Sequence, residues 1–276
     1  MEAMEPPADE TRFAFGENWA RFLAVLDDTR IREAERSLRE MLGEDGVRGR
    51  TWLDIGSGSG LFSLAAARLG ASRLHSFDYD ASSVGCTDEL RRRFGPADAD
   101  WTVEQGSVLD RAYVDGLGRF DVVYSWGVLH HTGRMWEAFD NAARTVADGG
   151  VLFIALYNDQ GARSRIWSRI KWRYNRLPPR LRLPWALTVM VPRELLSLGA
   201  RTARGHPEEY LRTWTRYRSA RGMSRWHDLI DWVGGYPFEV ATPDEVVERG
   251  RAQGLLLERL TVRRGLGCNE FVFRRV

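Results

Sequence analysis

The sequence predicts an α/β fold: a doubly wound, seven-stranded sheet, parallel except for a C-terminal antiparallel hairpin, with an N-terminal helical arm and a helical insertion. Three observations predict it. Short apolar runs alternate with helical patterns between residues 51 and 157, which requires crossover connections and a sheet covered on both faces. That rhythm stops after Tyr157, and residues 160–236 hold helical stretches but no clear strand. The chain then ends in two apolar runs joined by residues 263–269, whose Gly265 and Gly267 suit a hairpin at the sheet edge.

Each element has its own local reason. Residues 1–12 are polar and read as disordered; residues 13–42 read as one or two helices, with Trp19, Phe22, Leu23, Leu26, Ile31, Leu38 and Leu42 at helical spacing. Strands are expected at 51–55, 72–77, 101–104, 120–126 and 151–157, and helices at 60–69, 82–94 and 134–146. Residues 105–119 read as a short connection. In the insertion, Ile166, Trp167, Ile170, Tyr174 and Leu177 share one helical face, with Arg165, Arg169, Arg173 and Arg176 beside it. Pro178-Pro179 ends that helix. A helix at 243–253 and strands at 255–262 and 270–276 complete the core. The chain thus divides into an arm (1–45), a core (46–160), an insertion (161–238) and a segment that completes the sheet (239–276).

Composition narrows the chemistry. With 43% hydrophobic and 28% charged residues, the chain can bury a sizeable core. Cys86 and Cys268 are far apart and match no metal or redox spacing, which argues against a disulfide framework and a cysteine-based zinc site. The acidic opening, residues 1–10, is not a signal-peptide pattern. The longest charge-free runs, 55–67 and 122–133, are too short to span a bilayer, so a cytoplasmic setting and no stable membrane insertion are expected. The net charge of +2 conceals an asymmetry: residues 161–225 carry 16 Lys and Arg against 3 Asp and Glu, leaving the rest at −11. Lys171 is the one lysine.

The sharpest motif is Trp52-Leu53-Asp54-Ile55-Gly56-Ser57-Gly58-Ser59-Gly60, a strand running into a glycine turn that opens a helix. Glycines there permit a tight turn and close approach of a ligand to the backbone. The dinucleotide fingerprint G-x-G-x-x-G is not met, because the position three after Gly58 is Leu61. Glycines fall at every second residue, with an acid two before the first, and that acid suits a ligand with a cationic end better than a pyrophosphate.

With these residues the chain resembles the class I S-adenosylmethionine-dependent methyltransferases, over roughly residues 50–160 and the terminal hairpin. The resemblance implies a Rossmann-like sheet and S-adenosylmethionine as cofactor. It implies that Asp54, Gly56, Ser57, Gly58 and Gly60 hold the methionine end of the cofactor. Asp78, closing the second strand, takes both ribose hydroxyls through charge-assisted bonds. Tyr79 packs on the adenine, and Ser107 and Val108 border it; many relatives carry an acid where Ser107 stands. The segment Phe120 to His131 resembles the family's fourth strand and the loop facing the methyl donor, where Trp126 serves either the cofactor or the core. Within the family, the run Trp126-Gly127-Val128-Leu129-His130-His131-Thr132-Gly133 is similar to bacterial small-molecule methyltransferases, relatives of quinone methylases and natural-product tailoring enzymes. The segment around Trp19 is similar to a leading helix that closes over the cofactor.

The expected activity is therefore methyl transfer to a small molecule, with O- or N-methylation favoured and C-methylation open. His130 and His131 are candidate bases, or residues that pack the helix entry. His227 and Tyr236, beside glycines where the insertion returns to the sheet, are further base or anchor candidates. Aromatics and arginines in the insertion suit a partly apolar acceptor carrying an anionic group, unless the tryptophans form a core of their own. No clustered carboxylates adjoin His130 and His131, so no metal is expected. The main rival is an RNA methyltransferase gripping phosphates with the basic insertion; against it, Ser125-Trp126-Gly127 is neither the motif of base amino-methylating enzymes nor the Pro-Cys of cytosine C5 enzymes. A second rival is a non-enzymatic cofactor-binding subunit, or a protein resting on a membrane through residues 184–198.

Overall fold

The computed structural model describes residues 26–206, 208, 210, 232–263 and 265–276. These form two compact units: residues 26–164 with 238–276, and the described part of residues 165–237.

The first unit is the α/β core. In order it holds α1 (Asp28–Leu42), β1 (Thr51–Ile55), α2 (Leu61–Arg68), β2 (Arg73–Asp78), α3 (Ala81–Phe94), β3 (Trp101–Gln105), α4 (Arg111–Leu117), β4 (Phe120–Trp126), a 3-10 turn (Leu129–His131), α5 (Met135–Arg144) and β5 (Val146–Tyr157). After the second unit come α8 (Pro243–Ala252), β6 (Leu255–Thr261) and β7 (Cys268–Arg275). The sheet has seven strands in the order β3-β2-β1-β4-β5-β7-β6. The first five pair in parallel, and β7 joins antiparallel to both β5 and β6.

Strand alternation sorts the side chains between two cores. Leu53, Val123, Leu152, Phe271 and Phe273 face the layer of α5 and α8, with Phe139 and Val246 packed against them. Trp52, Leu74, Val122, Tyr124 and Phe153 face the layer of α1, α2 and α3, meeting Leu38, Leu64 and Leu90. Asp27 caps α1 by accepting the Arg30 amide at 2.9 Å, and Thr242 with Glu245 forms a capping box on α8.

Two elements depart from expectation. The segment 105–119 contains α4, capped by Asp110, which accepts the Tyr113 amide at 3.1 Å. Its seven residues bury only Val114 and end beside Gly116 and Gly118, so no periodic stripe betrays it. The fifth strand begins at Val146, not Val151, because α5 stops at Arg144 and the register against β4 shifts between Phe120 and Val122.

The second unit contains α6 (Ala162–Arg176), whose first turn lies in the core unit, and α7 (Pro179–Ala203). Tyr174, Ala186, Met190 and Val233 form its small core, with Trp167, Trp185 and Trp232 packed on them. Those three tryptophans thus make a core of their own. Trp172 is exposed, with the Arg176 guanidinium 4.4 Å from its ring centre. Ile166, expected on the packed face, is also exposed. Lys171 is fully buried, donates to the Trp232 carbonyl and lies 4.5 Å from that indole's centre; burial lowers its pKa to about 7.

Candidate active site

The site sits at the carboxyl ends of β1, β2 and β4, where the loops of a parallel sheet converge. Gly56, Gly58 and Gly60 all have positive φ, at 77°, 56° and 78°. A Cβ on Gly56 would lie 2.4 Å from Val128 Cγ1, so the loop after β4 rests directly on the glycine turn. A Cβ on Gly60 would lie 2.9 Å from Thr87 Cγ2 on α3. Glycine is required here both by backbone conformation and by close packing. The Gly56 and Ser57 amides donate to the Phe77 carbonyl at 2.9 and 3.1 Å, pinning the turn to β2. Thr87 donates to the Gly58 carbonyl at 3.2 Å, and its hydroxyl lies 2.9 Å from that of Ser57.

Asp78 closes β2. One carboxylate oxygen accepts the Gly58 amide and the other the Asp80 amide, each at 2.9 Å. Burial raises its pKa, and those amides pull the other way. Each oxygen keeps lone-pair capacity for a second donor. Tyr79 follows with its ring nearly half exposed, and its carbonyl accepts from Gln105 Nε2 at 2.9 Å. The Gly106 amide donates to the Asp78 carbonyl at 3.0 Å. Ser107 Oγ accepts the Leu109 amide at 3.2 Å, and the Val108 side chain is buried in the core, leaving its main chain as the part that can border a ligand.

Asp54 is 2% exposed and lies at the end of a buried relay. Trp101 Nε1 donates to Ser76 Oγ at 2.9 Å, the Ser76 and Ser63 hydroxyls are 2.7 Å apart, and Ser63 donates to Asp54 Oδ2 at 2.6 Å. Each hydroxyl has one proton, so the chain has a direction: Trp101 to Ser76 to Ser63 to Asp54. Burial nevertheless raises the Asp54 pKa to about 7, and nearby Asp78 adds to the rise. A cation beside this carboxyl would favour its ionised form.

Around β4 and β5 the candidates separate. Trp126 is 41% exposed and donates from Nε1 to Glu270 of β7 at 2.9 Å, so it is not a core residue. The His130 ring is fully buried, tilted on Tyr157 with centroids 3.9 Å apart, and the His130 carbonyl accepts the Glu239 amide at 3.0 Å. The Glu239 carboxylate in turn accepts the Met135 amide at 3.1 Å at the start of α5. His131 is half-buried and meets Tyr157 edge-on at 5.5 Å. Tyr236 is half-buried in the second unit. Trp19 and His227 lie outside the described residues.

Sequence reasoning missed Ser63, Ser76, Thr87, Tyr157 and Glu270. One signal was available for each serine: Ser63 is a lone hydroxyl in the apolar run 61–67, and Ser76 falls on the same strand phase as Asp78. Among the described residues no group of three or more His, Cys, Asp or Glu could hold a metal ion. No helix among them is long and apolar enough to cross a membrane.

Residues 26–200 match a family described as a methyltransferase domain. The chain is similar to the ubiquinone biosynthesis O-methyltransferase of Caulobacter vibrioides, 26% identical over 167 residues, which is 55% of this chain and 63% of that protein. It is similar to the ribosomal protein L11 methyltransferase of Bacillus cereus (strain Q1), 40% identical over 107 residues, 38% of this chain and 31% of that one. These matches span less than two thirds of either relative. In fold it is similar to the magnesium protoporphyrin IX methyltransferase of Synechocystis PCC 6803 solved with bound S-adenosylmethionine, at a TM-score of 0.55 and 13% identity, covering 99% of this chain and 100% of that one.

Proposed function

Because the chain belongs to the S-adenosylmethionine-dependent methyltransferases, as a member of their methyltransferase-domain family, we propose that it methylates a small, partly apolar acceptor at oxygen or nitrogen. The observation that carries the reading is the bond from the Gly58 amide to Asp78: it joins a backbone cradle to a carboxylate with spare acceptor capacity. That pair, with the positive-φ glycines, fits the cofactor's ribose and the backbone beside it. When bound, S-adenosylmethionine supplies an activated methyl group on a sulfonium.

The chain's own residues bind, orient and move a proton. Asp78 accepts the ribose hydroxyls, Tyr79 offers its exposed ring to the adenine, and Ser107 with the Val108 main chain borders it. Asp54, held by Ser63, places negative charge behind Gly56 toward the cationic end of the cofactor. Ser57, Gly60 and Trp126 complete the cradle. An alcohol or phenol acceptor must lose its proton during transfer, and half-buried His131 is the base proposed to take it. Proximity and orientation supply most of what remains, on the order of 7–11 kcal/mol. His227 and Tyr236 are proposed as acceptor anchors.

Isothermal titration with S-adenosylhomocysteine and with NAD tests the cofactor, and binding of the first alone is expected. Transfer of labelled methyl to a panel of phenols, quinols and amines tests the acceptor. The arginine excess of residues 161–225 favours one other reading, an RNA acceptor. Labelling of transfer or ribosomal RNA, with none of the small molecules, would establish it instead.

A further inference from the structure

The core unit has a recess at the end of the sheet opposite the glycine turn. Arg119 precedes β4, Thr145 precedes β5, Gln253 lies just before β6, and Arg275 ends antiparallel β7. All four therefore sit at the amino ends of the parallel strands, whereas Gly56 and Asp78 sit at the carboxyl ends. The length of β4 separates the two places by about 20 Å. At the amino end, the C-terminal ends of α4, α5 and α8 enclose a cavity of about 570 Å³. Val114, Arg119, Arg144, Thr145, Gln253 and Arg275 line it. That volume falls in the range of small-molecule sites.

The charge of this recess is unbalanced. Its one lining acid, Asp115, lies 3.4 Å from Arg111, which does not line it. Arg119 meets Asp148 at 2.7 Å, and that acid is 87% exposed. Arg144 and Arg275 form no ion pair among the described residues. Burial and the neighbouring Arg119 charge lower the Arg275 pKa, with Asp148 pulling the other way. The Arg275 Nε is a buried donor with no acceptor.

Helix C-termini repel anions when their carbonyls are bare. Here Arg275 donates to the Ala143 and Gln253 carbonyls, and the Thr145 hydroxyl donates to the Ala142 carbonyl at 2.8 Å. The helix ends are thus already served, and the guanidinium surplus remains. Guanidinium forks match phosphate oxygens, and two adjacent anionic groups can engage two forks at once.

We propose that this recess binds a phosphorylated small molecule of the diphosphate class, held by Arg119, Arg144 and Arg275. The site is distinct from the cofactor cradle, and the inference does not depend on the methyl-transfer reading.

The test is isothermal titration of the full chain with sodium pyrophosphate at about 150 mM sodium chloride, where long-range attraction is screened. Saturable binding is expected. Arg144→Glu and Arg119→Glu should each weaken it about tenfold or more. Both side chains are exposed, so these variants should melt with the parent chain. Arg92→Glu makes the same charge change at an exposed position of α3 and should leave the affinity nearly unaltered. Saturating S-adenosylhomocysteine should not displace the pyrophosphate. Absence of binding would overturn the proposal, as would full affinity in Arg144→Glu and Arg119→Glu. Equal weakening in Arg92→Glu would overturn it too, because net charge alone would then explain the binding. Displacement by S-adenosylhomocysteine would overturn it by placing the pyrophosphate in the cofactor cradle.

Discussion

The Gly58 amide donates to the Asp78 carboxylate at 2.9 Å, so the residue that shapes the glycine turn and the residue that closes β2 are fastened directly to each other. Removing the carboxylate affects both. Asp78→Ala is expected to weaken S-adenosylhomocysteine binding by about 1.5–3 kcal/mol, the usual worth of hydrogen bonds to a charged group. Isothermal titration measures it, and unchanged affinity would take Asp78 out of the site.

Gly56→Ala tests the same turn from the backbone. Its φ of 77° costs a side chain about 1–2 kcal/mol. The new methyl would also overlap Val128, at about 1–3 kcal/mol for overpacking. Lower melting temperature together with lost cofactor binding is expected. Val128→Ala in the same chain should restore part of the stability by opening space.

Asp54 sets a pH dependence whose sign is unusual for a carboxylate. Its folded pKa of about 7 lies above the unfolded value of about 4. Between those values the folded chain holds a proton the unfolded chain has released. Its stabilising contribution is therefore complete below about pH 4 and is lost as pH rises through 7. The ligand-free protein should lose melting temperature between pH 5 and 8 more steeply than Asp54→Asn does. A parallel decline in both proteins would show that Asp54 does not titrate there.

His130 and His131 should behave differently. His130→Ala removes a fully buried ring from its contact with Tyr157 and is expected to destabilise by about 2–4 kcal/mol, as losses of buried rings do. His131→Ala should leave stability nearly unchanged and lower kcat for a hydroxyl acceptor about 100-fold or more. Thermal melts and steady-state rates on both variants separate the two roles, and equal rates in His131→Ala and the parent would exclude it as the base.

Replacement of residues 165–236 by a short Gly-Ser linker is expected to abolish methyl transfer and preserve S-adenosylhomocysteine binding. The chain can be closed there because Asn158 and Ala241 form a parallel bridge, with the Asp159 amide donating to the Ala241 carbonyl at 3.0 Å. Transfer at a comparable rate in the shortened chain would place the acceptor site elsewhere.

Much of this was legible from local chemistry. β1 and β4 keep their expected bounds because each is a short apolar run ended by a distinct signal, glycine after Ile55 and Gly127 after Trp126. Asp54, Asp78 and the glycines announce themselves by spacing. What stayed hidden depends on partners far along the chain. Nothing near Trp126 indicates that it bonds to Glu270, 144 residues away. The paired histidines look equivalent in sequence, and only the approach of Tyr157 and Glu239 buries one and leaves the other accessible. The Ser63–Ser76 contact needs α2 packed on β2 before two ordinary serines become a relay.

The placement of β7 between β5 and β6 carries a cost in biosynthesis. β5 is apolar from Val151 to Leu156, and among the described residues β7 is the strand that covers its outer edge, beginning more than a hundred residues after β5 ends. At translation rates of about 5–20 residues per second, the ribosome needs roughly 5–20 s to supply that covering strand. Through this interval the nascent chain presents an unpaired hydrophobic edge of the kind that templates aggregation. Most of the wait is the helical unit itself. Its arginine excess, emerging next after the sticky strand, supplies like-charge repulsion between neighbouring nascent chains during the seconds when the edge is bare.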